Sequence, residues 1–235
     1  MGHTYKYVNH SPIVGMIKTL TVKRTKVGEF YIYLSVVQEW PDIPSRTGNA
    51  VGLDFGMKHF LTLDNGKTID SPQWYQSALK DIRRAHRAVS RCQRGSNNRQ
   101  RALRHLVHTY ERISNGRRDW FFKLANELVS QYAVICIEDL NLDGMKRLWG
   151  RKVSDLAYGE FIQILEWVAF KNGSIVVKVD RWLPSSKACH ICRTVNTNLT
   201  LTDRKWTCEG CGATLHRDTN AAINIREAGL SLLTA

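Results

Sequence analysis

The chain has 235 residues, 43% hydrophobic and 23% charged, which is ordinary globular usage and excludes a largely disordered chain or a fibrous repeat. Its 34 Lys and Arg against 21 Asp and Glu give +13, a surplus that points to a polyanionic partner, nucleic acid before acidic membrane. No apolar run approaches the ~18 residues of a membrane span, and Met1–His10 lacks the apolar core of a signal peptide. A cytoplasmic protein is expected, with its six cysteines held as thiols or metal ligands rather than disulfides.

In chain order, Met16–Lys23 and Phe30–Val37 alternate, the second with Phe30, Ile32, Leu34 and Val36 on one face. Joined through Thr25–Glu29, they predict a β-hairpin. Pro41, Pro44 and the polar stretch Ser45–Asn49 predict a linker. Ala50–Phe55 is a short strand, and Phe60–Leu63 and Lys67–Ile69 flank Asp64-Asn65-Gly66, a hairpin turn. Leu79, Ile82, His86 and Val89 keep helical spacing, as do Leu103, Leu106, Val107, Tyr110 and Ile113. Arg94–Asn98 separates the two runs, so two helices are expected, the second continuing past Asn115-Gly116 into Trp120–Val129. Ala133–Ile137 is a strand ending on Glu138-Asp139. Val153–Lys171 is one helix stopped by Asn172-Gly173, and Ile175–Val179 is a strand ending on Asp180. The last 18 residues, from Asp218, form a helix.

The positive charge is concentrated. Residues 80–123 hold 13 basic side chains against Asp81, Glu111 and Asp119, so ten of the thirteen net charges lie there. A merely solvated helical face mixes signs. This one is arginine-rich, through Arg83, Arg84, Arg87, Arg91, Arg94, Arg99, Arg101 and Arg104. The guanidinium fork suits phosphate, so the helical hairpin is expected to contact nucleic acid.

Cys189-x2-Cys192, fifteen residues, then Cys208-x2-Cys211 is the spacing of a four-thiolate zinc ribbon. Gly210 and Gly212 permit the tight knuckle, and two matched pairs argue against a redox dithiol. Four protein ligands leave no open position, so the zinc would be structural. His190 and His216 lie nearby and are not taken as ligands. Cys92 is read as a surface thiol and Cys136 as a core residue.

Three carboxylates sit where apolar strand ends should meet a groove: Asp54 in Val51–Gly56, Glu138 closing Val134–Ile137, and Asp218 opening the last helix. Asp218 alone could be a helix cap and Glu138 a strand end. Asp54 is harder to dismiss, because a carboxylate inside an apolar strand needs a partner or a metal.

Together these residues resemble a known pattern. The order of the acids is that of the RuvC-type, RNase H-like nucleases. More narrowly, Gly52-Leu53-Asp54-Phe55-Gly56, Ile137-Glu138-Asp139-Leu140-Asn141 with Gly144-Met145, the ribbon preceded by Ser185-Ser186-Lys187, and Arg217-Asp218-Thr219-Asn220-Ala221-Ala222 resemble the transposon-encoded TnpB (OrfB) family, relatives of the type V CRISPR effector nucleases. The likeness runs from about residue 11 to 230.

That resemblance implies an α/β fold: an RNase H-like (RuvC) mixed sheet with a helical insertion and a zinc ribbon, preceded by a partial β-barrel hairpin. The implied divisions are a barrel remnant at 1–45, a nuclease core at 46–184 with the basic hairpin at 79–129, the ribbon at 185–216, and a closing helix at 217–235. It implies an RNA-guided DNA endonuclease, with guide RNA and target DNA as partners and nucleoid association in a prokaryote. Asp54, Glu138 and Asp218 would hold two Mg²⁺ ions for phosphodiester hydrolysis, Asp139 standing in if Glu138 points away. Arg217 would stabilise the scissile phosphate. The chain departs from the family in two ways. The family's longer N-terminal part is reduced here to the hairpin at about 16–38, so a second protomer or partner chain is expected to supply RNA-binding surface. The family's His-Asp-Arg-Asp reads Leu215-His216-Arg217-Asp218. The rival readings are a shortened, non-cleaving RNA- and DNA-binding regulator and a plain zinc-ribbon DNA-binding module.

Overall fold

The computed structural model describes residues 6–8, 12–25, 28–38, 47–200 and 202–234, without the side chains of residues 146, 149, 151 and 152. The linker expected at Pro41, Pro44 and Ser45 lies outside them. Strands β1 (Met16–Arg24) and β2 (Phe30–Val37) pair antiparallel, with Val22 opposite Ile32 and Leu20 opposite Leu34. Their apolar face is open: Phe30 is 67% and Leu20 59% exposed. Alternation foretold the pairing but not that this face would stay uncovered by the described residues.

The centre is a five-stranded mixed sheet in the order β5-β4-β3-β6-β7. Strand β3 (Ala50–Phe55) pairs antiparallel with β4 (Leu61–Leu63), which pairs with β5 (Thr68–Ile69). Beyond these, α1 (Trp74–Arg91) and α2 (Asn97–Gln131) form the basic hairpin, whose first helix begins five residues before the Leu79 that periodicity marked. Ser96 caps α2 by accepting the Arg99 N–H at 3.2 Å, whereas α1 has no cap of its own. Its first turn is held from a distance, the Asp155 carboxylate accepting the N–H groups of Tyr75 (2.9 Å) and Gln76 (3.2 Å). That tertiary cap is why the start could not be read locally.

Strand β6 (Val134–Glu138) lies parallel between β3 and β7 (Ile175–Val179). The single helix expected over Val153–Lys171 is two. Helix α3 (Leu142–Leu156), capped by Asn141, gives way at left-handed Ala157 (φ 47°) to α4 (Tyr158–Lys171). Apolar periodicity runs across the joint, so pattern alone concealed it. Strands β8 (Lys205–Thr207) and β9 (Thr214–His216) form the ribbon's small sheet, and α5 (Arg217–Thr234) closes the fold. Among the described residues, no helix is long and apolar enough to cross a membrane.

Strand alternation decides what covers each face of the central sheet. Val51, Leu53, Phe55, Ile135 and Ile137 point one way, into a core with Phe121, Leu124 and Leu128 of α2 and Phe161 and Leu165 of α4. An aromatic cluster of Phe55, Phe60, Phe121, Tyr158 and Phe161 fills the end of this layer. Gly52, Cys136, Val177 and Val179 point the other way, towards α5, where Cys136, Val177, Val179 and Ile225 form a second cluster. Helix and sheet approach so closely here that a Cβ built on Gly52 would stand 1.9 Å from the Ala222 carbonyl oxygen. One built on Gly229 would stand 2.4 Å from the Cys136 sulfur.

Gly52→Ala is therefore expected to destabilise the protein by about 3 kcal/mol or more, because backbone must move to admit the methyl. Gly48→Ala, whose Cβ would meet only ordinary contact at 3.6 Å, should stay within about 0.5 kcal/mol. Urea denaturation of the two variants checks this.

Candidate active site and ribbon

The parallel pairing of β3 with β6 sets Leu53 opposite Ile137, so the next residues, Asp54 and Glu138, lie side by side on the face towards α5. On α5, Asp218 stands one turn before Ala222, the residue whose carbonyl meets Gly52. Three acids from distant sequence thus come to one end of the sheet. Asp54 and Glu138 bear the electrostatic mark of that placement. Burial, then the neighbouring Asp218 and Glu138 charges, push the Asp54 carboxyl up to about 8, while Arg217 and Arg204 pull against them. Burial, then Asp139, raises Glu138. The side-chain carboxylates of Asp54 and Glu138 make no hydrogen bond or ion pair among the described residues. Asp218 is engaged: Arg204 Nη1 donates to both of its carboxylate oxygens, at 3.2 and 3.1 Å.

Two partly buried carboxylates without a compensating donor make a set of hard oxygen ligands suited to a divalent cation. The three acids are spread more widely than the cysteines. Among the described residues, Cys189, Cys192, Cys208 and Cys211 are the only group of three or more His, Cys, Asp or Glu whose ligand atoms all lie within 4.8 Å of one another. Asp139 is turned to an ion pair with Arg181. A cavity of about 290 Å³ opens beside Asp218, lined by Lys58, His59, Arg204, His216 and Thr219 among others, a cationic recess next to an acid.

In the ribbon, the sulfurs of Cys189 and Cys211 are 3.7 Å apart and those of Cys192 and Cys208 3.5 Å. Four sulfurs about 2.3 Å from one tetrahedral zinc would be about 3.8 Å apart, so the tetrad fits that ion. Thr194, through its hydroxyl and then its backbone, draws the Cys192 thiol down to about 6, towards the thiolate that a metal needs. The ribbon is fastened to α5 by two buried amides. Asn220 and Asn224 each donate to the carbonyls of Ser185 and Ala188, at 2.7–3.2 Å, and Asn220 accepts the His190 N–H at 3.0 Å.

The arginines divide by use. Arg83, Arg84, Arg87, Arg91, Arg94, Arg101 and Arg104 are exposed on the hairpin. Arg99 is half-buried and donates to the Val89 carbonyl at 2.9 Å, fastening the turn. Arg217 donates to the Thr200 carbonyl at 3.2 Å, close enough to Asp54 to lower its pKa. Cys136 is fully buried, and Cys92 is half-exposed, its thiol on the Ala88 carbonyl. Sequence reasoning missed Arg204, Asn220 and Asn224. The asparagines did carry a signal, since their i, i+4 spacing puts two amides on one otherwise apolar face. Arg204 carried none, because a loop residue fourteen positions before Asp218 has no period to betray it.

Residues 33–148 match the OrfB_IS605 family model, described as a probable transposase, and residues 158–225 match the Cas12f1-like TNB domain. A Streptomyces pristinaespiralis protein named "Putative RNA-guided DNA endonuclease" is 37% identical over 215 residues, 91% of this chain and 53% of that one. InsQ of Escherichia coli K12, of the same description, is 27% identical over 97% of this chain and 60% of its own length. TnpB-like protein L770 of Acanthamoeba polyphaga mimivirus is 26% identical over 96% and 46%. The chain thus spans about half the length of these relatives. The fold is similar to that in a cryo-EM structure of a Cas12f1–sgRNA–target DNA complex, with a TM-score of 0.62 at 20% identity over 88% of this chain and 44% of that one.

Two outcomes follow from the electrostatics and the ribbon. A carboxyl raised from 3.8 to about 8 binds more protons folded than unfolded between those values, so it costs the metal-free fold stability as pH rises through that window. Asp54→Asn should raise the melting temperature of the metal-free protein, by a margin that grows from pH 4 to pH 8 in a thermal series. Zinc removal by a chelator should release residues 185–216 from protection in hydrogen exchange and lower the melting temperature, because thiolate sites contribute folding energy directly.

Proposed function

Because the chain belongs to the transposon-encoded TnpB (OrfB) family, related to the type V effector nucleases, we propose that it is the nuclease part of an RNA-guided DNA endonuclease. The observation that carries this reading is the gathering of Asp54, Glu138 and Asp218 at one end of the sheet, two of them partly buried and without a hydrogen-bond partner among the described residues. The sheet order, three antiparallel strands continued by two parallel ones, supports an RNase H-like, RuvC-type core at 46–184 closed by the helix at 217–235. The ribbon is then a separate unit at 185–216, and β1–β2 part of a barrel within 1–45. Guide RNA and target DNA are the proposed partners, with base pairing reading sequence while the protein grips backbone. A second protomer or partner chain would cover the open face of β1–β2.

In this mechanism Asp54, Glu138 and Asp218 would hold the catalytic cations. When bound, two Mg²⁺ ions supply an activated water and a stabilised leaving oxygen. Asp54, largely protonated near neutrality in the metal-free site, would have to lose its proton to water to serve as a ligand, so metal affinity should rise with pH. Arg204 holds the Asp218 carboxylate in place for that role by donating to both of its oxygens. Arg217 and Lys58 in the recess beside Asp218 hold the phosphate of the strand being cut. The exposed arginines of α1 and α2 neutralise further phosphates along the heteroduplex.

The test is purification with co-expressed RNA, followed by Mg²⁺ and single- or double-stranded DNA. Asp54→Ala should lower cleavage by about a hundredfold or more while RNA remains bound. Binding without cleavage in the parent chain, indifferent to Mg²⁺, would identify a regulator instead. Replacing Arg83, Arg84 and Arg87 together by Ala should weaken binding to all sequences alike and reduce the slope of log K against log salt by about two to three. An unchanged slope would move the nucleic-acid face elsewhere.

A further inference from the structure

The end of the sheet that bears the acids also bears one large side chain the proposed mechanism leaves unused. Trp182 is 83% exposed, more than any other large hydrophobic residue among those described. It follows β7, whose Val179 is registered beside Glu138, so the indole stands three residues past the neighbour of a site carboxylate. Single exposed apolar side chains are common on protein surfaces and ordinarily mean nothing. Three features set this one apart.

The first is that its turn is built. The Asp139 N–H donates to the Val179 carbonyl at 3.0 Å, the Trp182 N–H to Asp180 Oδ1 at 2.9 Å, and the Leu183 N–H to the Asp180 carbonyl at 3.1 Å. Arg181 is ion-paired with Asp139, next to Glu138. Downstream, the Ser185 carbonyl is held by Asn220 and Asn224 of α5. The second is direction: Leu183 packs inward against the Cys136–Ile225 cluster while Trp182 is left in water, so the turn spends its inward position on the smaller side chain. The third is location. The recess with Lys58 and Arg204 lies on the β3–β4 side of the carboxylates, and Trp182 lies on the β7 side. A strand laid across the carboxyl ends of β3, β6 and β7 meets cations at one flank and an indole face at the other. Two strand spacings separate β3 from β7, about 10 Å.

We propose that Trp182 is a stacking platform for one base of the single DNA strand that passes the three carboxylates, one or two nucleotides from the phosphate being cut. The identity of the strand rests on the nuclease reading above; the stacking itself does not. An indole accepts the face of any base, so the contact positions the strand without selecting sequence.

The test uses the full chain in an Asp54→Asn background, which keeps DNA intact, with fluorescein-labelled thymidine oligonucleotides as the probe. Trp182→Ala should weaken binding by about tenfold and Trp182→Phe by less than about threefold, with melting temperature and zinc content unchanged in both. Oligonucleotides carrying one abasic site at successive positions supply the decisive readout. At one position the missing base should reproduce the loss caused by Trp182→Ala and add nothing further to it. Unaltered affinity in Trp182→Ala, or abasic losses that add to it at every position, would overturn the proposal. In the chain with Asp54 intact the two readings come apart. Normal cleavage and binding by Trp182→Ala sinks the platform and leaves the nuclease. Absent cleavage, with the Trp182-dependent and abasic-sensitive binding retained, sinks the nuclease and leaves the platform.

Discussion

Helix α5 and strand β3 meet backbone to backbone at Gly52, and the position of the third carboxylate follows from that contact. A side chain on Gly52 would push the helix away from the strand, and Gly229 over Cys136 makes a similar demand one strand away. With the helix seated, Asp218 is carried to the end of β3 where Asp54 and Glu138 already lie in register. The electrostatic cost is visible at Asp54, whose proton is held by burial and by two like charges. A fold selected for stability alone would place an apolar residue there. The carboxylates are tolerated because strand pairing and helix packing over-determine their positions.

What was legible in the sequence had a period or a fixed spacing. β2, β3 and β7 were read to the residue, because alternation or an unbroken apolar run is bounded by turn residues in each case. The cysteine tetrad was legible because knuckle geometry dictates the intervals. The convergence of the three acids was expected only through the resemblance; no local pattern carries it, since it depends on a glycine contact some 170 residues apart in sequence. The break at Ala157 was hidden because a left-handed alanine leaves no mark in an apolar pattern. The start of α1 was hidden because its cap, Asp155, lies 80 residues away. In each miss, a long-range contact outweighed the local signal.

The ribbon and the core are less separate than their sequence boundaries suggest. Asn220 and Asn224 lie on the helix that bears Asp218, yet they donate to carbonyls that lead into the first knuckle. From the other arm, Arg204 reaches back to Asp218 itself. Four thiolates around a metal would fix both arms at once, so an ion in the ribbon can still set the orientation of the Asp218 carboxylate.

Helix α2 runs without a break through 35 residues, past Asn115 and Gly116, with Gly116 lying under the ring of Trp74. At 1.5 Å per residue it is a rod of about 52 Å. One end is cemented into the sheet by Phe121, Leu124 and Leu128, and the other carries Arg101 and Arg104. A rod so anchored has no hinge to absorb changes in span. If its far end rests on a nucleic-acid backbone, the molecule measures as well as grips: the interval between the held phosphates and the carboxylates becomes a fixed length, and adding or removing one helical turn would shift which phosphate of the strand lies beside them.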